Sequence, residues 1–300
     1  MQVLYALNRD SNLTLKDAVS RYNQSVQKSY EIYLFNILQL YKIAAQALKE
    51  LEKRQSKLLP SDEDKNFTPK LWTNPVVQSL QKNMELEKVW KQRGLTGRID
   101  ADSTRLFYNE FSKSDEYLAY IKKADSNEQD DRDVLLDLFK VCMKNEAYND
   151  FMESIFPSWY DDESLLIGAV KKTIKALPSD GKFFEEYLPE EEATKEFGEE
   201  LLKITFMKDA ELLALIEPTL QNWDVERVAI LDMIMLKMAV CELVYFPTIP
   251  TKVTLNEFVE IAKLYSTDKS KDFINGILDR LMKQLDKDGK IKKEGRGLLE

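Results

Sequence analysis

The chain has no histidine and only two cysteines among its 300 residues. Without imidazole, Ser-His-Asp and Cys-His catalysis and di-iron Glu-x-x-His pairs are excluded, and two cysteines cannot build a four-thiolate zinc site. The phosphate-binding motifs GxxxxGK[ST] and GxGxxG are also missing. These absences favour a binding protein over an enzyme, and we expect neither a metal nor another cofactor.

Glycine and proline are scarce, at nine residues each, and no useful length of alternating apolar and polar residues occurs. Good helix formers dominate instead, which predicts an all-α protein without strands. No apolar run is long enough to span a membrane and no signal peptide is recognisable, so we expect a cytoplasmic protein that binds no membrane. Cys142 and Cys241 each lie in an apolar run and are expected to be buried thiols.

The net charge of −9 makes the chain a poor non-specific ligand for nucleic acid, because contacts to phosphate supply most of that affinity. The excess of acid lies outside residues 226–300, where basic and acidic residues are nearly balanced. Acidic groups at 130–133, 161–163 and 190–192 stand where helices are expected to begin, and helix capping explains them without a function. Any RNA site must therefore be a local patch.

Apolar residues at three- and four-residue spacing predict helices along most of the chain. Thr14-Leu15-Lys16-Asp17 has the pattern of a capping box and opens an amphipathic stripe that reaches about Leu59. Further helices are predicted over residues 75–93, 103–123, 130–156 and 162–177. After an acidic segment at 185–200, another apolar helix ends near Pro218.

The segment from Trp223 to Leu281 has the most informative pattern of apolar residues and polar turns in the chain. Residues 225–243 are apolar on nearly every side, as in the buried centre of a helical bundle, so the polar residues there must reach the rim or find partners. A second helix is predicted to begin at Thr254, and a polar turn over residues 265–272 leads into a third. That turn is followed by Phe273. It is either an ordinary connection between helices with a core aromatic, or a site that binds the backbone of single-stranded RNA and stacks a base.

The succession ILDMIMLKMAVCEL, IPTKVTLNEFVEIAKLYS and KSKDFINGILD resembles the family of the bacterial transcription antitermination factor NusB. Residues 197–223 resemble that family's third helix, and MQVLYA at the start of the chain resembles its first helix. The resemblance implies a NusB-like helical bundle with a large helical insertion in its N-terminal part. We expect the first helix of that domain at residues 1–16, the insertion at 17–192, and the helical core with a C-terminal tail at 193–300.

By this resemblance the protein would bind boxA-like single-stranded RNA together with the small-subunit ribosomal protein NusE, and would support ribosomal RNA transcription within the RNA polymerase antitermination complex. The same fold is compatible with a homodimer. The residues expected to face the RNA are Lys237, Lys252, Lys269, Ser270, Lys271 and Phe273. Those expected to face the ribosomal protein are Tyr5 and Asp232.

Both the source of the RNA affinity and the function itself remain open to other interpretations. The family usually carries an arginine-rich arm before the segment that resembles MQVLYA; either such an arm lies upstream of this sequence, or the lysines alone supply the affinity for RNA. The fold could also serve as a helical protein-binding adaptor without RNA binding, or as the NusB-like module of a protein of ribosomal RNA maturation.

Overall fold

The structure is a computed structural model that describes residues 1–179, 181–220 and 228–298. These residues form helices joined by short connections, without a strand among them, and the all-α prediction is confirmed. No helix in these ranges combines the length and the apolar character needed to cross a bilayer. The chain divides into two compact units, unit 1 (Met1–Ser25 with Glu190–Glu300) and unit 2 (Val26–Pro189).

In the described residues, unit 2 is built from the larger part of one long α-helix and ten shorter α-helices, together with 3-10 helices at Thr96–Arg98 and Phe183–Tyr187. The α-helices are α2 (Leu15–Ala44), α3 (Gln46–Gln55), α4 (Asp62–Asn66), α5 (Lys70–Thr73), α6 (Pro75–Lys82), α7 (Met84–Gln92), α8 (Ala101–Phe111), α9 (Asp115–Lys122), α10 (Glu128–Lys144), α11 (Glu146–Ile155) and α12 (Trp159–Ala176). At the start of α2, the Thr14 hydroxyl accepts a hydrogen bond from the Asp17 backbone N–H, and the Asp17 carboxylate accepts from the Thr14 N–H, so the predicted capping box is present.

The three helical stretches predicted between residues 75 and 156 are each interrupted once, which the apolar spacing did not reveal. The breaks fall at Asn83, Ser114 and Asn145, whose side chains each accept a hydrogen bond from a backbone N–H in the first turn of the following helix. Short polar side chains satisfy these otherwise unpaired N–H groups well, and so they divide an otherwise continuous apolar pattern into separate helices.

The core of unit 2 surrounds the middle of α2. From Ile32 to Gln39 every residue is at most 1% exposed, so the helix is covered on all sides. Two of its buried polar side chains are paired with neighbouring helices: the Tyr148 hydroxyl donates to Asn36 Oδ1 at 2.9 Å, and the Tyr33 and Thr173 hydroxyls are 2.8 Å apart. The side-chain amide of Gln39, in the same segment, is buried without a hydrogen-bond partner among the described residues. The amphipathic stripe predicted from the sequence thus has its partners within unit 2.

Unit 1 contains the short helix α1 (Gln2–Arg9), the first turns of α2, and a π-helix at Glu192–Glu199. It continues with α13 (Glu200–Met207), α14 (Asp209–Ile216), α15 (Ile230–Tyr245), α16 (Thr251–Tyr265) and α17 (Asp268–Lys287). Helix α15 begins at Ile230, later than predicted; residues 225–227 of the predicted helix lie outside the described residues.

The core of unit 1 is centred on α15. Leu236, Ala239, Val240 and Leu243 are all 0% exposed, and α17 adds a fully buried face through residues that recur at helical spacing. That face consists of Ile274, Ile277, Leu278 and Leu281. A central helix buried on all sides is what the apolar pattern of residues 225–243 predicts.

Candidate nucleic-acid interface

The polar residues of α15 all find partners inside unit 1. The buried Asp232 carboxylate accepts a hydrogen bond from the Ser266 hydroxyl at 2.7 Å, just beyond the end of α16. Nearer the start of α16, the Glu242 carboxylate accepts from the Thr254 hydroxyl, also at 2.7 Å. Two carboxylate–hydroxyl bonds therefore join α15 to the two ends of α16.

Thr254 does not begin α16, which starts at Thr251; the predicted helix start is wrong by one turn. The side chain of Thr254 is fully buried, and its hydroxyl serves Glu242 rather than the backbone. Burial raises the pKa of the Glu242 carboxyl, and the hydrogen bond from Thr254 opposes that effect. Lys293 donates to the carbonyl oxygens of Phe246 and Glu242, so a cation satisfies the C-terminal end of α15.

The connection between α16 and α17 is much shorter than the predicted turn at residues 265–272. Only Ser266 and Thr267 are non-helical there, and α17 begins at residue 268. The Thr267 hydroxyl accepts a hydrogen bond from the Ser270 backbone N–H at 3.3 Å, and its carbonyl accepts from the Lys271 N–H at 3.0 Å. Ser270 and Lys271 thus lie in the first turn of a capped helix, whose positive end favours anions such as phosphate.

The first two turns of α17 bring together three of the predicted RNA-facing residues. Ser270, Lys271 and Phe273 lie within four consecutive positions and are each half-buried. The Phe273 ring packs against the apolar core of unit 1. The backbone of Lys269 belongs to the same helix, but its side chain lies outside the described part of the structure.

Lys237 lies on a different side of α15. It lies five positions after Asp232 in the helix, which corresponds to about 140° around the helix axis. Its side chain is 13% exposed, and the ammonium group lies 2.5 Å from the carboxylate of Asp209 on α14. Lys237 is therefore directed toward α14, whereas Asp232 is bonded to the connection before α17.

Lys252 is exposed in the first turn of α16. A rise of 1.5 Å per residue puts it about 20 Å along α16 from Tyr265, the last residue of that helix. The predicted RNA-facing residues therefore do not form one cluster: the group on α17, Lys237 and Lys252 occupy three separate regions of unit 1.

The two residues predicted to face a protein partner have contrasting surroundings. Tyr5, on α1, has 39% of its surface exposed and is accessible to a partner. Asp232 has only 4% of its surface exposed, and its carboxylate already bonds to Ser266.

Two grooves in unit 1 were not predicted. One, of about 830 Å³, is mainly apolar and includes Phe197, Met238, Glu242 and Phe258 in its lining. The other, of about 690 Å³, lies beside the ion pair of Lys237 and Asp209. Grooves of this kind arise where several helices meet, so the periodicity of any one helix contains no signal for them.

Most of the segment described above, a buried central helix followed by two helices with a capped connection, lies within a stretch of sequence that matches known proteins. The NusB family model matches residues 168–283. The chain is 39% identical over 112 residues to the transcription antitermination protein NusB of Salinibacter ruber (strain DSM 13855 / M31). These aligned residues are 37% of this chain and 70% of that protein. This chain belongs to the NusB family.

Two other relatives carry the same name. The transcription antitermination protein NusB of Listeria monocytogenes serotype 4a (strain HCC23) is 41% identical over 88 residues, which are 29% of this chain and 69% of the relative. That of Chloroherpeton thalassium (strain ATCC 35110 / GB-78) is 46% identical over 79 residues, 26% of this chain and 37% of the relative. No solved structure matches the chain.

Proposed function

We propose that this protein is a transcription antitermination factor that binds boxA-like single-stranded RNA through the first two turns of α17. The observation that carries the proposal is the juxtaposition of Ser270, Lys271 and Phe273 at a capped helix N-terminus in a member of the NusB family. A lysine and a helix N-terminus suit a phosphate group, and an aromatic ring with part of its surface exposed suits a base.

The proposed partners are the small-subunit ribosomal protein NusE and, through it, the RNA polymerase antitermination complex that transcribes ribosomal RNA. Tyr5 is the residue proposed to contact the ribosomal protein, because its ring is well exposed on α1. Lys237, Lys252 and Lys269 are proposed as further contacts along an extended RNA strand rather than as members of one pocket. Since the chain carries a net charge of −9, these local cations would have to offset a generally repulsive surface.

Residues 17–192 are proposed to be a helical elaboration inserted into the NusB-like domain. Unit 2 supports this proposal because it has a hydrophobic core of its own around α2. The larger part of the family match, from residue 190 to 283, lies in unit 1.

The proposal is tested by measuring binding of the full chain to labelled boxA-like RNA, alone and with purified NusE. We expect binding to boxA-like RNA that is stronger in the presence of NusE, and weaker binding to a scrambled RNA of the same length and composition. Equal binding to both RNAs would contradict recognition of boxA. Binding to NusE without any binding to RNA would instead favour the protein-binding adaptor.

A further inference from the structure

The buried acid Asp232 and the start of α17 are connected through two hydrogen bonds, made by the consecutive residues Ser266 and Thr267. Asp232 Oδ1 accepts from the hydroxyl of Ser266 at 2.7 Å, and Asp232 itself is 4% exposed. The next residue, Thr267, caps α17 by accepting from the Ser270 N–H. Thus one buried carboxylate is separated from the first turn of α17 by only two residues.

We propose that Asp232 is a positioning residue, which fixes the first turn of α17 by anchoring Ser266. This inference rests on the proposed function, because the residues so positioned are the proposed RNA contacts Ser270, Lys271 and Phe273. The role differs from direct contact with a protein partner, since the carboxylate is directed into unit 1 and not toward solvent.

The connection between α16 and α17 consists only of residues at helix ends, so an anchor outside the two helices matters for its position. Ser266 and Thr267 are the only two residues between α16 and α17, and both have extended backbone conformations. Each is the cap residue next to a helix end, where backbone groups lack partners within the helix and fraying is easy. A hydrogen bond to a charged acceptor with little exposure is stronger than a neutral one, and Asp232 is held by α15, whose residues form part of the buried core of unit 1.

Unit 1 contains a matched comparison for this anchor. Glu242 and Thr254 make the same kind of bond, of the same length, but between α15 and the first turns of α16, at the opposite end of α16 from Ser266. Both bonds stabilise the packing of α15 against α16, yet only the Asp232–Ser266 bond lies beside α17. A general effect of packing can therefore be separated from an effect on the first turn of α17.

The experiment uses the full chain with the variants Asp232→Ala, Asp232→Asn and Ser266→Ala, and with Thr254→Val as the matched control. NMR measures the exchange rates of the Ser270 and Lys271 backbone amide hydrogens, and titration measures affinity for boxA-like RNA. We expect Asp232→Ala and Ser266→Ala to speed exchange of both amides. Each should weaken RNA binding by about tenfold, the loss expected when one base-stacking contact is misplaced.

A double variant that combines Asp232→Ala with Ser266→Ala should bind no more weakly than either single variant, because both changes break the same hydrogen bond. Asp232→Asn keeps an oxygen that can accept from Ser266, and should retain most of the affinity. Thr254→Val should lower the stability of unit 1 and leave both amides and the RNA affinity unchanged.

The outcomes separate this inference from the proposed function. If the wild-type chain binds no RNA, the proposed function fails, and the two amides alone decide whether Asp232 positions α17. Unchanged amide exchange in both Asp232→Ala and Ser266→Ala would overturn the inference. So would normal RNA affinity in variants whose amides exchange faster, or an equal loss of affinity in Thr254→Val.

Discussion

Replacing Phe273 by alanine distinguishes a core residue from a base-stacking residue. A fully buried phenylalanine costs about 3–5 kcal/mol of folding stability when it is changed to alanine. Phe273 is only half-buried against the core of unit 1, so we expect its removal to cost about 2 kcal/mol of stability. If its accessible surface stacks on a base, RNA binding should weaken by a further 1–3 kcal/mol, or roughly 5- to 150-fold.

The two effects are measured on the same protein, by denaturant unfolding and by RNA titration below the unfolding transition. Ile277→Ala is the matched control, because Ile277 lies one turn further along α17 and is 0% exposed. That variant should lose about 2–5 kcal/mol of stability and keep its RNA affinity. The stacking role is refuted if Phe273→Ala binds RNA as tightly as Ile277→Ala does while losing a similar amount of stability.

Two further predictions concern buried polar groups. Burial raises the pKa of Glu242 above its ordinary value of 4.5, so the folded state favours the protonated acid and unit 1 should lose stability as the pH rises from that value through the folded-state pKa. Glu242→Gln, which keeps an oxygen for Thr254, should remove this loss in urea unfolding measured between about pH 4 and about pH 8, and an unchanged pH dependence would contradict the assignment. Tyr148→Phe should destabilise unit 2 by about 1–3 kcal/mol, because it leaves the buried Asn36 oxygen without its donor. Tyr160→Phe, at a ring that is 53% exposed, should cost less than about 0.5 kcal/mol in the same assay, and equal losses would show that the hydrogen bond is unimportant.

The fold class and most helices could be predicted because apolar spacing is a local property of the sequence. The buried centre α15 and the apolar face of α17 follow directly from it. What could not be predicted is where one long apolar pattern divides into two helices. At Asn83, Ser114 and Asn145 the capping hydrogen bond decides this, and polar residues of these types also occur within helices.

The candidate site was less predictable than the fold. Residue type and spacing marked Asp232, Lys237 and Glu242 as polar exceptions on an apolar helix, and the prediction that such groups must reach the rim or find partners is met by three internal partners. The partners themselves come from α14, α16 and the connection before α17. Because they depend on tertiary packing, the sequence pattern could not identify which polar residue was committed internally and which remained accessible.

The most direct test of the proposed RNA site compares the salt dependence of binding for the wild-type chain, Lys271→Ala and Lys283→Ala. Lys283→Ala is the control, because this substitution removes the same charge from the same helix about three turns further on. Loss of one phosphate contact should flatten the plot of log affinity against log salt concentration by about one unit at most. We predict this change for Lys271→Ala, together with a wild-type slope for Lys283→Ala; identical slopes for all three proteins would contradict an RNA site at the start of α17.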